Sequence, residues 1–244
     1  MNLVIDIGNS KTKYAVFSKH KMIDFLESSD SSKKDIEYLI NRNPQIRHCI
    51  ISTVQNTPPE VMDFLSRSSI QTILLNHETS IPFKNTYETP ETLGNDRIAA
   101  IAGACYLYPD KNVLIIDAGT AITFDLINEK NTYLGGTISP GLDMRFKALH
   151  HFTAKLPYLK KSNSTKTMGK NTTEAIVNGV QNGMIFEIEG YLTKIGNKNP
   201  QLVVLLTGGD SQFFDNILKK PIFAVSNLTL VGLNFILEYN AQTL

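Results

Sequence analysis

A chain of 244 residues, 42% hydrophobic and 19% charged, carries enough apolar content for one large core or two of about 120 residues each. Lys and Arg number 24 against 23 Asp and Glu, a net charge of +1, which supplies no field for nucleic acid or an anionic membrane. The two cysteines, Cys49 and Cys105, lie in apolar surroundings at no metal-site spacing and form no disulfide framework, the pattern of a reducing compartment. No basic region precedes the apolar N-terminal run, and no apolar run is long enough to span a bilayer. A soluble cytoplasmic protein is expected.

Asn2–Asp6 is a short apolar run that enters the small polar turn Ile7-Gly8-Asn9-Ser10, and Lys11–Ser18 alternates as a strand. A third strand over His20–Glu27 completes an antiparallel meander, and no GxGxxG fingerprint is present. Ser31–Asn43 reads as a helix with Ile36, Leu39 and Ile40 on its apolar stripe and Pro44 beyond its end. Buried strands follow over His48–Val54 and Ile70–Leu75, either side of a helix opened by Pro58-Pro59. Ser80–Leu93 is irregular and leads into Gly94-Asn95-Asp96-Arg97 and an Ala-rich helix stopped by Pro109. An acid in a helical first turn is favoured by the macrodipole, whereas Arg is not. Arg97 there suggests a ligand or a carboxylate partner, against the plainer reading of a solvated early-turn charge.

In the second half, Val113–Asp125 (VLIIDAGTAITFD) reads as a buried strand, a small turn and a second strand. Thr120 can offer a hydroxyl and an amide to an anion, and Asp117 at the end of a buried strand is costly without a cation beside it. The alternative is a hairpin with a hydrogen-bonded turn Asp. Tyr133–Ser139 is a third strand, and a helix containing Met144, Phe146 and Leu149 ends at His150 and His151. Adjacent histidines do not share a helical face, so no metal pair is expected. Lys160–Lys170 reads as a mobile polar loop. Thr172 or Thr173 is expected to cap a long helix, with Glu174 in its first turn and Ile176 to Ile195 along its apolar face. Gly179 and Gly183 on that helix permit close backbone approach. Val203–Leu206 is a strand entering Thr207-Gly208-Gly209-Asp210, and Leu230–Tyr239 is a closing helix.

The two halves repeat. LVIDIGNSKTKYAVF and LIIDAGTAITFDLIN share the order apolar run, Asp, any residue, Gly, small polar residue, alternating strand, with Asp6 and Asp117 in equivalent places. Two copies at a long period indicate a duplicated domain, 1–111 and 112–244, rather than a solenoid. Three glycine turns, at Asp6–Ser10, Asp117–Thr120 and Thr207–Asp210, each follow a buried strand and present backbone amides. The arrangement resembles the superfamily of acetate and sugar kinases, chaperone ATPases and actin. That resemblance implies an α/β fold of duplicated ribonuclease H-like (actin-like ATPase) domains with mixed sheets and ATP in the interdomain cleft.

Within that superfamily the chain resembles the type III pantothenate kinases, which open coenzyme A synthesis by making 4'-phosphopantothenate. The motifs are DIGNSKTK at 6–13, YETPETLGNDR at 87–97, IIDAGTAITFD at 115–125, GGTISPGL at 135–142, GKNTTEAI at 169–176 and TGGD at 207–210. They occur in family order over nearly the whole chain; Ser10 stands where the family more often has Thr. The resemblance implies Asp96 as general base and Arg97 as partner of the pantothenate carboxylate, with Tyr87, Gly94, Asn95 and Thr172 lining that pocket. It implies ATP at Asp6, Ile7, Gly8, Asn9, Ser10, Lys11, Thr12, Lys13 and Thr120, magnesium at Asp6, and a monovalent cation, potassium or ammonium, at Asp117. It further implies a homodimer, in which Thr172 could serve the neighbour's site. The competing readings are a related small-molecule kinase and a non-catalytic transcription accessory factor. No Walker A, GxSxG or HExxH motif offers other chemistry.

Overall fold

The computed structural model describes residues 1–54, 57–163, 166–218 and 222–241. The aliphatic runs become the central strands of two sheets. In the first, β1 (Asn2–Ile7), β2 (Thr12–Ser18), β3 (Lys21–Ser28), β4 (His48–Thr53) and β5 (Gln71–Leu74) lie in the order β3-β2-β1-β4-β5. β1 is antiparallel to β2 and parallel to β4, and β4 is parallel to β5. Leu3, Ile5 and Ile7 alternate onto the face that packs with α1 (Lys33–Arg42) and α2 (Pro59–Ser66). α1 begins at Ser32, whose side chain accepts from the Asp35 N–H as an N-cap.

The other face carries α3 (Asn95–Leu107) and α7 (Leu228–Ala241), the second of which reaches β1, where the Asn2 amide donates to Asn234 at 2.9 Å. α3 and α7 touch backbone to backbone. A Cβ on Gly103 would sit 2.5 Å from the Leu228 carbonyl, and one on Gly232 would overlap the Ala99 carbonyl. These elements form a compact unit of Met1–Asp110, Ile127–Gly135 and Asn227–Leu244.

The second unit comprises Lys111–Leu126 and Gly136–Ser226. Its elements are β7 (Val113–Ala118), β8 (Ala121–Ile127), most of β9 (Thr132–Pro140), α4 (Leu142–His151), α5 (Thr172–Gly196), β10 (Val203–Thr207), α6 (Ser211–Asp215) and β11 (Phe223–Ala224). The strand order β9-β8-β7-β10-β11 repeats β3-β2-β1-β4-β5 one for one, with β10 parallel to both neighbours, as β4 is. β1 and β7 share the same burial sequence, with Asp6 and Asp117 at the same penultimate place. The duplicated α/β fold with mixed sheets is thus present. The core of this unit packs Leu114, Ile116 and Phe124 against Phe146 of α4 and Val180, Met184 and Ile188 of α5.

Several local features depart from the sequence expectation. The cap of α5 is Asn171, whose side chain accepts from Glu174 N–H at 2.9 Å, and neither Thr172 nor Thr173 serves. Asn is among the strongest capping residues, and Glu174 reaches back to accept the Lys170 N–H, fixing the turn from both sides. α7 begins at Leu228, before the expected Leu230, and the TGGD turn runs straight into α6. The two-residue strands β6 (Lys84–Asn85) and β11 are too short to leave a periodic signal. Residues 164 and 165 of the expected Lys160–Lys170 loop lie outside the described residues.

Candidate functional site

In the first unit, pairing across the sheet sets Glu27, Lys13, Asp6 and Ser52 in one row over β3, β2, β1 and β4. All four therefore share a face, the one carrying α3 and α7. Burial lifts the Asp6 carboxyl above its ordinary range. The Ser52 hydroxyl, the Lys13 charge and the Thr229 hydroxyl at the start of α7 pull it down, while the Asp96 charge raises it further. Ser52 is itself fully buried, and the burial of the carboxyl outweighs the three groups that pull it down.

Between β1 and β2 the chain turns through Gly8, whose N–H donates to the Lys11 carbonyl at 3.0 Å. Asn9, Ser10 and Lys11 are exposed there, whereas Ile7 and Thr12 are buried and can offer only backbone to a ligand. Lys11 pairs its ammonium with Glu27. Lys13, next in the row to Asp6, is the cation placed beside that carboxylate.

Gly94, Asn95, Asp96 and Arg97 form the N-terminus of α3. The Asn95 amide donates to the carbonyls of Thr53 and Leu75, 3.3 and 3.0 Å away, tying the helix start to the carboxyl ends of β4 and β5. Ligands of parallel sheets are met at such strand ends. Asp96 accepts the Arg97 N–H at 2.8 Å, and a Cβ on Gly94 would lie only 2.5 Å from the same carboxylate oxygen. Gly94 thus keeps the space that Asp96 uses. Arg97 is buried, its Nη2 donating to the Tyr133 hydroxyl at 2.7 Å and its guanidinium 5.7 Å from the centre of the Tyr87 ring. The first unit therefore unites Asp6, Lys13, Tyr87, Gly94, Asn95, Asp96 and Arg97.

The second unit carries Asp117, Thr120 and Thr172. Gly119 N–H donates to the Ala121 carbonyl at 2.9 Å, closing a two-residue turn on which Thr120 is exposed. Gly208, at φ +92°, packs so closely on this turn that a Cβ would overlap both the Ala118 carbonyl and an Asp117 carboxylate oxygen. A side chain at that φ is strained in any case, so the position requires glycine twice over. Asp210 caps this corner through its N–H to the Ala118 carbonyl, and its carboxylate pairs with Lys161. Thr172 opens α5 as an exposed residue on the rim of an apolar groove against α4.

Three residues of this arrangement escape sequence reasoning. Ser52 carries a faint signal, a hydroxyl inside the buried run CIIST. Tyr133 looks like one more alternating strand residue, and Thr229 gives no signal, because its role depends on α7 returning to the first sheet.

The type III pantothenate kinase family model matches residues 2–194. A type III pantothenate kinase of Christiangramia forsetii is 47% identical over 244 residues, covering 98% of this chain and 99% of that protein. Among solved structures, a Campylobacter jejuni protein named for the Baf family of transcriptional activators has a TM-score of 0.63 at 24% identity, covering 98% of this chain and 99% of that one. The activator of 2-hydroxyisocaproyl-CoA dehydratase from Clostridium difficile, with bound ADPNP, has a TM-score of 0.53 at 11% identity, over 99% of this chain and 94% of that one. At these identities the two structures establish the fold alone. The matched model and the full-length relative, taken with the GNDR helix start and the paired Asp turns, place the chain in the type III pantothenate kinase family.

Proposed function

We propose that this kinase transfers the γ-phosphoryl group of ATP to the primary hydroxyl of pantothenate, with Asp96 as general base and Arg97 as partner of the substrate carboxylate. Asp96 takes the hydroxyl proton as the oxygen attacks phosphorus, and ADP leaves. The observation that carries this reading is the start of α3, where one helical turn presents an acid and an arginine over the sheet face that holds Asp6 and Lys13. Such a reaction asks the protein mainly for positioning and charge neutralisation. Gly94 leaves room for the Asp96 carboxylate, Asn95 anchors the helix, and Tyr87 walls the Arg97 side of the pocket. Gly8, Asn9, Ser10 and Lys11 would offer amides and polar side chains to phosphate oxygens, and Ile7 and Thr12 backbone; Thr120 is exposed on its own turn and would contact ATP through its hydroxyl or amide.

Magnesium would screen the phosphate charge, and the donor set suits it. Among the described residues no three acidic, His or Cys side chains cluster, so a cation would meet one or two carboxylates there. Magnesium accepts that arrangement when phosphates and waters complete its shell, and Asp6 is the carboxylate in place. A monovalent cation would be held at Asp117, the penultimate residue of β7, on the turn that Gly208 approaches closely. Thr172 would add to the pantothenate pocket, its own or a neighbour's.

A homodimer is supported by α5. Gly179, Gly183, Phe186 and Gly190 fall on one stripe, Phe186 is 59% exposed, and the three glycines have no neighbours within 4 Å of a Cβ. A groove of about 1220 Å³ beside it is lined by Met144 and Ala148 of α4 and by Ala175 and Gly179 of α5. No helix among the described residues is long and apolar enough to cross a membrane, and Cys49 and Cys105 are free and buried, which suits the cytoplasm.

Asp96→Asn tests the base. It should abolish pantothenate-dependent ADP formation while nucleotide affinity, measured by calorimetry, stays near the native value. Turnover within a few-fold of the native enzyme overturns the assignment.

A further inference from the structure

Arg97 stands in the first turn of α3, where the helix dipole works against a cation, and only 6% of it is exposed. With so little water around it, the plane of its guanidinium is set by protein contacts. Tyr133 supplies one, accepting from Nη2 at 2.7 Å, and Tyr87 another, its ring centre 5.7 Å from the guanidinium carbon. The two rings lie 6.0 Å apart at 31° to each other. Tyr133 is fully buried in β9, and its carbonyl accepts the Thr86 hydroxyl. Asn85 pairs with Tyr133 in the β6–β9 register, and the Asn85 side chain accepts the Tyr87 N–H at 2.9 Å. The strand carrying Tyr133 and the segment carrying Tyr87 are thus fastened together, and Arg97 meets both.

A neutral phenol holds a guanidinium without cancelling its charge, so this contact fixes direction and does not itself consume the cation. A carboxylate is gripped best when it faces two parallel N–H groups of the fork, which makes the orientation of the plane decisive. We propose that Tyr133 is a positioning residue for Arg97: its hydroxyl, carried on a strand whose backbone Thr86 braces at the Tyr133 carbonyl, holds the guanidinium in the plane that takes the pantothenate carboxylate. The proposal rests on the reading of Arg97 as the carboxylate's partner. Tyr133 touches no reacting atom, and its effect passes through Arg97.

The test is a double-mutant cycle on the full-length enzyme, with steady-state kinetics for both substrates on Tyr133→Phe, Arg97→Lys and the double variant. Removing one hydrogen bond to a charged group should raise KM for pantothenate about tenfold, with kcat and KM for ATP changed by less than about twofold. In the Arg97→Lys background the same change should add nothing. If the two effects multiply, or if Tyr133→Phe lowers Tm and leaves KM for pantothenate alone, Tyr133 is only a core residue and the proposal fails. A native KM for pantothenate in Arg97→Lys overturns instead the assignment of Arg97, whatever Tyr133 does. Thr86→Val guards against a poorly folding Tyr133→Phe. It loosens the brace without touching Arg97, and should give a smaller rise in pantothenate KM that Arg97→Lys again removes; additivity there also overturns the proposal.

Discussion

At Gly94 the missing side chain matters more than any side chain nearby. A methyl there would meet the Asp96 carboxylate oxygen at 2.5 Å, and that carboxylate is also held by the Arg97 N–H. Gly94→Ala should therefore turn Asp96 away and lower kcat by about 10²-fold, the scale of a misplaced catalytic group, with little change in Tm. Asp6 gives a second prediction, of opposite sign for stability and activity. Burial raises its pKa in the fold, so the folded state favours the protonated acid, and holding Asp6 ionised costs stability once pH exceeds the folded pKa. Asp6→Asn should raise Tm at pH 7 to 8 while abolishing turnover, and the gain should shrink as pH falls through the Asp6 titration. Thermal melts across that range check it; a gain that grows toward acid contradicts the desolvation account. Asp117 and Arg97 were legible as unusual because an acid ending a buried strand and an arginine opening a helix are both unfavourable without a partner, whereas Asp96, favourable at a helix start, was singled out only by the family resemblance. Ser52 and Tyr133 were not, because a buried hydroxyl in a strand has ordinary structural uses and only its three-dimensional neighbours set it apart.

Among the elements, α3 and α7 show where sequence reading stops. Each was expected as a helix, but nothing in IAAIAGACYLY or LTLVGLNFILEY says that the two meet with backbones touching. Gly103 and Gly232 allow it: a Cβ on Gly232 would overlap the Ala99 carbonyl and crowd the Gly103 N–H. Helix propensity alone makes Gly→Ala favourable by about 1 kcal/mol. Here the clash is with backbone, which cannot rotate aside, and overpacking of about 1–3 kcal/mol or more should win. Gly232→Ala should lower Tm and, by shifting α7 and with it Thr229, weaken turnover. A denaturant melt showing Gly232→Ala at or above native stability contradicts this packing. α5 offers a milder case: Asn171→Ala removes the cap and should cost about 1 kcal/mol, whereas Thr172→Ala should leave stability near native, since Thr172 is the first helical residue and not the cap.

For the whole molecule, the duplication was readable because its strongest copy is its shortest: a buried strand, an acid, one residue and a glycine. The strand orders that confirm it depend on pairings the sequence does not state. Oligomeric state is harder, since an exposed glycine stripe has the same sequence whether water or another chain covers it. Energetics separates the two cases. On α5, Gly179 and Gly183 have no atom within 4 Å of a Cβ in the single chain. If that face meets only water, Gly183→Ala should stabilise the protein by about 1 kcal/mol through helix propensity, at every protein concentration. If a second copy packs there, the added methyl enters the interface. Dimer dissociation then becomes easier, and Tm falls and depends more steeply on protomer concentration, because association stabilises by mass action. We expect the second result, with sedimentation velocity showing a native dimer and a larger monomer fraction for Gly183→Ala. A uniformly stabilised variant of unchanged association state would remove this face from the interface and leave Thr172 to its own chain.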